Sequence, residues 1–159
     1  MNSKAAIAAL TLTIIAVAAI VMIIVPAISP KEEQVSSASL CKGTALCISG
    51  NVTKIVDGDT LEIENITIRL ALVNTPEIGE VGYSDAKQFV SALCPPHSAA
   101  IADEDDGQTQ GSHGRMIAKV SCGGKILNEE VLSAGLAEIL TEFCSVSEFA
   151  TESWAKQYC

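Results

Sequence analysis

The hydrophobic pattern divides the chain into a long apolar run near its start and short alternating segments after it. Between Ala5 and Ile28, 21 of 24 residues are apolar and no polar face interrupts them. A helix of that length reaches about 36 Å, enough to cross the hydrocarbon core of a bilayer. We therefore expect residues 1–28 to form an uncleaved transmembrane anchor. A cleaved signal peptide is the alternative, because the small residues Ala27 and Ser29 offer a cleavage site.

After a polar, serine-rich tether at residues 29–46, β-type patterns dominate the middle of the chain. These patterns are runs of β-branched residues, or apolar positions that alternate with polar ones, bounded by turn residues. Five segments therefore predict strands: residues 51–56, 60–64, 66–70, 99–101 and 116–120.

Apolar residues at helical spacing predict three helices. The first is capped by Ser84 and ends before Cys94-Pro95-Pro96, and the second is capped by Asn128 and closes near Gly135. A capping box at residues 145–148 predicts the start of the third. Short strands in series with a few helices indicate an α+β domain at residues 47–159, a small barrel or sheet with helices packed on it.

The charge of the chain is acidic and lies on this domain. The sequence has 10 Lys and Arg against 19 Asp and Glu, a net charge of −9. Affinity for a polyanion normally depends on a basic surface, so bulk charge alone argues against a nucleic-acid binder.

All six cysteines follow the apolar run, in the part of the chain that would be exported. An even number in a small exported domain indicates a disulfide framework. Six cysteines allow 15 connectivities. We expect two local closures and one link between distant segments: Cys41–Cys47, Cys94–Cys122 and Cys144–Cys159.

Three segments carry groups that a phosphoryl-transfer site needs. Residues 57–60 read Asp-Gly-Asp-Thr, residues 69–77 begin with Arg-Leu and end with Asn-Thr-Pro-Glu, and residues 114–115 read Gly-Arg. Oxygen ligands from two turns suit a hard cation such as Ca²⁺. Two guanidiniums suit the forked recognition of phosphate oxygens. Each segment alone is common in turns, and their order is what makes them specific.

In this order, and followed by Asn128-Glu129 and Gly135-Leu136-Ala137, the segments resemble the staphylococcal nuclease (thermonuclease) family over about residues 47–158. The resemblance implies an OB-fold, a five-stranded β-barrel with about three helices. It also implies Ca²⁺-dependent cleavage of DNA and RNA at the bond between phosphorus and the 5′ oxygen.

The resemblance also assigns roles to individual residues. Glu77 would be the general base, and Arg69 and Arg115 would clamp the phosphate and stabilise the transition state. The expected Ca²⁺ ligands are Asp59, Asn74 and Thr75, and the expected nucleotide contacts are His113 and Phe143.

Several positions depart from the family pattern. Asn74 stands where the family often has a second Ca²⁺-binding aspartate, so we expect weaker Ca²⁺ affinity. Ser112-His113 replaces a Lys-Tyr pair, and Phe143 keeps the ring of one of two nucleotide-binding tyrosines. The acidic run at residues 103–106 would repel a polyanion near the site, or is simply a solvated loop. These changes weaken the grip on substrate more than the chemistry.

The expected protein is therefore a monomeric, membrane-anchored nuclease whose domain lies outside the cytoplasm and binds single-stranded DNA or RNA weakly. Secretion after signal-peptide cleavage is the alternative location. A catalytically weak or silent OB-fold module of the cell envelope is the alternative function, and a disulfide-stapled envelope protein without a ligand is the third. Two N-x-T sequons, at Asn51 and Asn65, are compatible with glycosylation.

Overall fold

A computed structural model describes residues 41–159 of the 159-residue chain. The predicted anchor at residues 1–28 and the first part of the tether lie outside the described residues. Within residues 41–159, no helix has the length and apolar character needed to cross a membrane.

The described domain is a five-stranded β-barrel with three helices, an α+β architecture consistent with an OB-fold. Antiparallel pairing joins the main strands in the order β3-β2-β1-β5-β6, and a parallel pairing of β3 with β6 closes the barrel. Short strands β4 and β8 pair beside it, and β7 extends the end at β6. The strands are β1 (Cys47–Ile55), β2 (Thr60–Ile63), β3 (Ile66–Leu70), β4 (Val73–Asn74), β5 (Ala99–Glu104), β6 (Met116–Cys122), β7 (Lys125–Ile126) and β8 (Glu138–Ile139).

Alternation along the strands fills the barrel with aliphatic side chains. Leu61 and Ile63 are fully buried in β2. In β3, Ile68 is fully buried and Leu70 is nearly so. All five predicted strands are confirmed, with β1, β5 and β6 running further than expected. In β6 the polar residues are buried as well as the apolar ones, so apolar and polar positions do not alternate in its sequence. The sequence pattern therefore underestimates the length of this strand.

The helices are α1 (Tyr83–Leu93), α2 (Leu127–Ser133) and α3 (Ser153–Lys156). Both predicted N-caps are wrong, because Ser84 and Asn128 lie inside the first turns, after Gly82 and Ile126. Gly82, whose left-handed backbone has a φ of 95°, is the cap, and α1 therefore starts two residues earlier than predicted.

The third predicted helix is broken into two pieces. A 3₁₀ turn at Glu148–Thr151 is capped by Ser147, whose side chain accepts from the amide of Phe149, and the four-residue α3 follows. The capping box at residues 145–148 is therefore wrong. Phe149 is buried in the 3₁₀ turn and Trp154 is buried in α3. The apolar spacing that predicted one helix therefore comes from two short segments, each of which packs against the core.

All three expected disulfides are present: Cys41–Cys47, Cys94–Cys122 and Cys144–Cys159. The first joins the start of the described chain to β1. The second joins the end of α1 to the end of β6, and the third closes the C-terminal segment. No described cysteine is free.

Carboxylates of the acidic run at residues 103–106 accept hydrogen bonds from backbone amides. Asp103 is buried, accepts from the amide of Lys42 and pairs with the ammonium of Lys119 at 3.2 Å. Asp106 accepts from the amides of residues 44–45, and these bonds lower the pKa of its carboxyl. The solvated-loop interpretation is therefore wrong for Asp103, and residues 42–45 are tied to the barrel.

Candidate functional site

The parallel closure of the barrel brings the two predicted arginines to neighbouring strands. In the β3–β6 register, Arg69 lies opposite Ile117, and Arg115 directly precedes β6. Because Ile68 and Leu70 point into the core, the side chain of Arg69 lies on the outer face. The parallel pairing of β3 with β6 therefore brings both guanidiniums to one place on the surface.

Asn128 fixes the backbone beside this closure. Its side chain, fully buried, donates to the carbonyls of Ala71 at 3.0 Å and Ala118 at 3.3 Å and accepts from the amide of Val120 at 3.0 Å. The chain then turns at Leu72, whose φ of 62° is left-handed, and continues into β4. The amide thus attaches α2 to the two strands that carry the arginines, a role that its position near the start of a helix did not reveal.

Asp59 is the centre of the site. It is 4% exposed, and both of its carboxylate oxygens are bonded. Oδ1 lies 2.6 Å from Nη1 of Arg69 and accepts from the hydroxyl of Thr60 at 3.1 Å. Oδ2 accepts from the backbone amide of Thr75 at 2.7 Å and from its hydroxyl at 2.9 Å. The first two predicted segments are therefore joined through one buried carboxylate.

The turn before Asp59 approaches Thr75 so closely that only glycine fits. A Cβ on Gly58 would lie 2.7 Å from both Oγ1 of Thr75 and Cβ of Ala86. In the same turn the carboxylate of Asp57 accepts from the amide of Asp59. Burial and the negative charge of Asp59 raise the pKa of Asp57. The turn therefore concentrates negative charge at the place where a cation is expected.

Arg69 already supplies positive charge there. In addition to Asp59, its guanidinium donates to the carbonyl of Val73 at 2.8 Å and to Oδ1 of Asn74 at 3.1 Å. These three contacts leave part of the five-donor guanidinium available to a ligand. Asn74 therefore bonds Arg69 in this structure, through the atom that was expected to face Ca²⁺.

The expected Ca²⁺ ligands fit the ion in chemical type. The carboxylate of Asp59, the amide oxygen of Asn74 and the carbonyl of Thr75 are hard oxygen donors on adjoining turns. Asp59 is the only carboxylate among these three residues, and within residues 41–159 no group of three or more acidic, His or Cys side chains is placed to hold a metal. A cation bound by Oδ1 of Asp59 and Oδ1 of Asn74 would share both oxygens with the guanidinium of Arg69.

A cavity of about 330 Å³ opens beside Arg69. Its polar wall carries both arginines, Asn74 and His113, while Phe143, 37% exposed, stands on the apolar side. Arg115 donates from Nε to the carbonyl of Ser112 at 3.1 Å, which orients its guanidinium. The other lining residues are Leu70, Leu72, Gln108, Gly111, Ser112, Ile117 and Leu140.

His113 lies at the tip of a tight hairpin. The backbones of Ser112 and Arg115 bond to each other in both directions, and His113 and Gly114 have φ of 52° and 77°. Left-handed φ at both central residues is the geometry of a type I′ turn. The hairpin places the exposed His113 at the edge of the cavity, in the same four-residue turn as Arg115.

Glu77 is the predicted site residue that the cavity does not include. It is exposed and begins a turn in which the amide of Glu80 bonds the carbonyl of Glu77, while the amide of Glu77 bonds the carboxylate of Glu80. In the described part of the chain its own carboxylate makes no hydrogen bond. Only Pro76 separates it from the buried Thr75, but Glu77 is not among the residues that line the cavity.

Sequence reasoning missed several wall residues, among them Gln108 and Leu140. Gln108 is held by a bond of 2.8 Å from its side-chain amide to Asp105. Leu140 is placed by its amide, which donates to the carbonyl of Leu72 at 2.8 Å. The bond of Gln108 is local, whereas Leu140 is placed by a segment 68 residues away, and neither residue belongs to one of the predicted motifs.

A scan against family models matches residues 67–156, more than half of the chain, to the staphylococcal nuclease homologue model. The match includes both strands that close the barrel, the arginines, Asn74, Thr75 and Glu77. Together with the barrel and the Asp59 site that precedes the matched segment, this shows that the chain belongs to the staphylococcal nuclease homologue family.

Proposed function

We propose that the domain is a Ca²⁺-dependent nuclease that hydrolyses phosphodiester bonds of single-stranded DNA or RNA outside the cytoplasm, tethered to the membrane by residues 1–28. Membership of the staphylococcal nuclease homologue family indicates a nuclease-type function. One observation supports the phosphodiester as substrate: Arg69, in β3, and Arg115, directly before β6, line the same cavity. Two fixed guanidiniums in one concave site match the geometry of a phosphate group.

Substrate binding begins with these arginines. Among residues 41–159, Arg69 keeps unused N–H groups beside its contacts with Asp59, Val73 and Asn74, and the guanidinium of Arg115 bonds only Ser112. Both can therefore donate to the non-bridging oxygens of a phosphodiester. Because the arginines are held before the substrate arrives, little reorganisation opposes the build-up of charge in the transition state.

The remaining roles follow from position around the phosphate. The carboxylate of the exposed Glu77 accepts the proton of the attacking water while the oxygen of that water bonds phosphorus. The bond from phosphorus to the 5′ oxygen breaks, and the released 5′ oxygen takes a proton from solvent. Phe143 offers a ring face to a base, and His113 offers a ring nitrogen to a phosphate or sugar. When bound by Asp59, Asn74 and Thr75, Ca²⁺ supplies charge that offsets the phosphate.

A catalytically weak or silent module is the second candidate, and the position of Glu77 favours it. Glu77 is exposed and is not among the residues that line the cavity. If it stays away from the phosphate, the arginines still bind an anion but no carboxylate activates water.

Cleavage of a fluorescent single-stranded oligonucleotide distinguishes the two. The full chain, produced under oxidising conditions, is assayed with Ca²⁺ and with chelator. Glu77→Gln should slow the Ca²⁺-dependent rate by about 10²–10⁴-fold. Glu129→Gln, on α2 and outside the site, should leave the rate unchanged. Equal rates in the two variants would support the silent module.

A further inference from the structure

A second cavity, of about 310 Å³, adjoins the first at Asn74, which lines both. Its floor is the short ladder in which Asn74 pairs with Glu138, at the junction of β4 and β8. Its walls come from the segments on either side of that ladder, residues 74–76, 80–82 and 135–138.

The walls of this cavity combine polar and apolar surface, and their only charged side chains are acidic. Val81 is 99% exposed, and Pro76, Leu136 and Ala137 add further apolar surface. No Lys or Arg is among the lining residues, whereas Glu80 and Glu138 are. Such a surface disfavours a phosphate and suits a flat, uncharged group with hydrogen-bond donors on its edge. A nucleobase has these properties.

We propose that the second cavity binds the nucleobase on the far side of the scissile phosphodiester from the base held in the first cavity. This inference rests on the proposed function, because the phosphodiester must lie at Arg69 and Arg115. A dinucleotide bound there has one nucleoside in the arginine cavity, and its other nucleoside passes Asn74 into the second cavity. The exposed valine and its neighbours then lose water as the base covers them.

The acidic rim limits what can follow that base. Glu80 and Glu138 repel the next phosphate of a longer strand, so the second cavity ends the bound part of the substrate on that side. The minimal bound unit is therefore one phosphodiester with a base in each cavity.

Methyl NMR of the full chain tests this directly. The Glu77→Gln protein, with Ca²⁺ present, is titrated with the dinucleotide TpT and with two analogues that lack one or the other base. TpT should shift the methyls of Leu72 and Ile117 in the first cavity and of Val81 and Leu136 in the second. Each abasic analogue should lose the shifts of one cavity and keep those of the other.

The outcomes separate this inference from the proposed function. If TpT shifts Leu72 and Ile117 but leaves Val81 and Leu136 unmoved, or if one abasic analogue removes both sets of shifts, the second subsite is overturned alone. If TpT shifts neither set, the proposed function fails and the subsite with it.

A variant gives an independent measure. Val81→Asp should weaken TpT binding by about tenfold, the usual contribution of one stacked or buried base. It should leave unchanged the binding of the analogue that lacks that base. Val146→Asp, at an exposed valine outside both cavities, is the matched control and should bind like the parent. An equal loss for TpT and for both analogues would contradict a base subsite.

Discussion

The Arg69–Asp59 ion pair should be a main source of stability in the site, and Arg69→Met tests this. The side chains are 12% and 5% exposed, and Nη1 lies 2.6 Å from Oδ1. Methionine retains the apolar stem of Arg69 but leaves the carboxylate of Asp59 buried without its counter-charge. Breaking a buried pair in this way typically costs about 3–5 kcal/mol. The carbonyl of Val73 and the amide of Asn74 also lose a donor, which places the expected loss in the upper part of that range.

Urea unfolding followed by tryptophan fluorescence measures this loss. Trp154, the single tryptophan, is 3% exposed and lies in α3, so the signal reports unfolding of the barrel as a whole. Lys54→Met is the matched control, because its pair with Glu62 at 3.3 Å is on the surface and should contribute less than about 1 kcal/mol.

A double-mutant cycle assigns the loss to the pair. Adding Asp59→Asn to Arg69→Met removes the unpaired charge, so the double variant should be more stable than Arg69→Met alone. Ca²⁺ should stabilise Arg69→Met more than it stabilises the parent, since the oxygens of Asp59 and Asn74 are then free to bind it. A loss below about 1 kcal/mol for Arg69→Met, or no coupling with Asp59→Asn, would refute the ion pair as a structural element.

Three further changes have defined outcomes. Asn74→Asp adds a ligand charge and should lower the Ca²⁺ concentration for half-maximal cleavage by about tenfold, whereas an unchanged requirement means that Asn74 is not a ligand. Asp57→Asn should stabilise the fold at pH 7, because burial and the charge of Asp59 raise the pKa of Asp57 in the folded state. That gain in stability should vanish below pH 3.8, the ordinary pKa of the group, because Asp57 is then protonated in both the folded and the unfolded state. Urea midpoints measured across pH that show no such trend would contradict this prediction. Replacing Cys94 and Cys122 by alanine opens a link between residues 28 apart and should cost about 3.5 kcal/mol in urea unfolding, so a loss under 1 kcal/mol would argue against the bridge.

Much of the barrel could be predicted because its signals are local. Alternation in residues 60–64 and 66–70 reports burial on one face, and that burial depends on the strand itself. The disulfides were also predictable, since two of the three close short segments.

Two of the errors lie where a side chain bonds another segment. Asn128 has the sequence signature of a helix cap, yet its amide bonds β6 and the end of β3. Asp103 belongs to an acidic run typical of a solvated loop, yet it is buried against Lys119. In both cases the partner is far away in sequence or on another strand, so residue type and spacing do not reveal it.

The site was predictable as a set of residues but not as a set of contacts. The order of the motifs placed Asp59, Arg69 and Arg115 in one site. It did not show that Asn74 bonds the guanidinium of Arg69, or that Glu77 is exposed and outside the cavity wall.

Cleavage of single-stranded oligonucleotide by the full chain, with and without Ca²⁺, tests the central claim most directly. Parent protein and Glu129→Gln should cut the substrate in Ca²⁺ and stop in chelator, leaving 3′-phosphate ends. Glu77→Gln should be slower by about 10²–10⁴-fold in Ca²⁺ while still binding the oligonucleotide. A parent protein that binds the oligonucleotide but cleaves it no faster than Glu77→Gln would contradict the proposed nuclease.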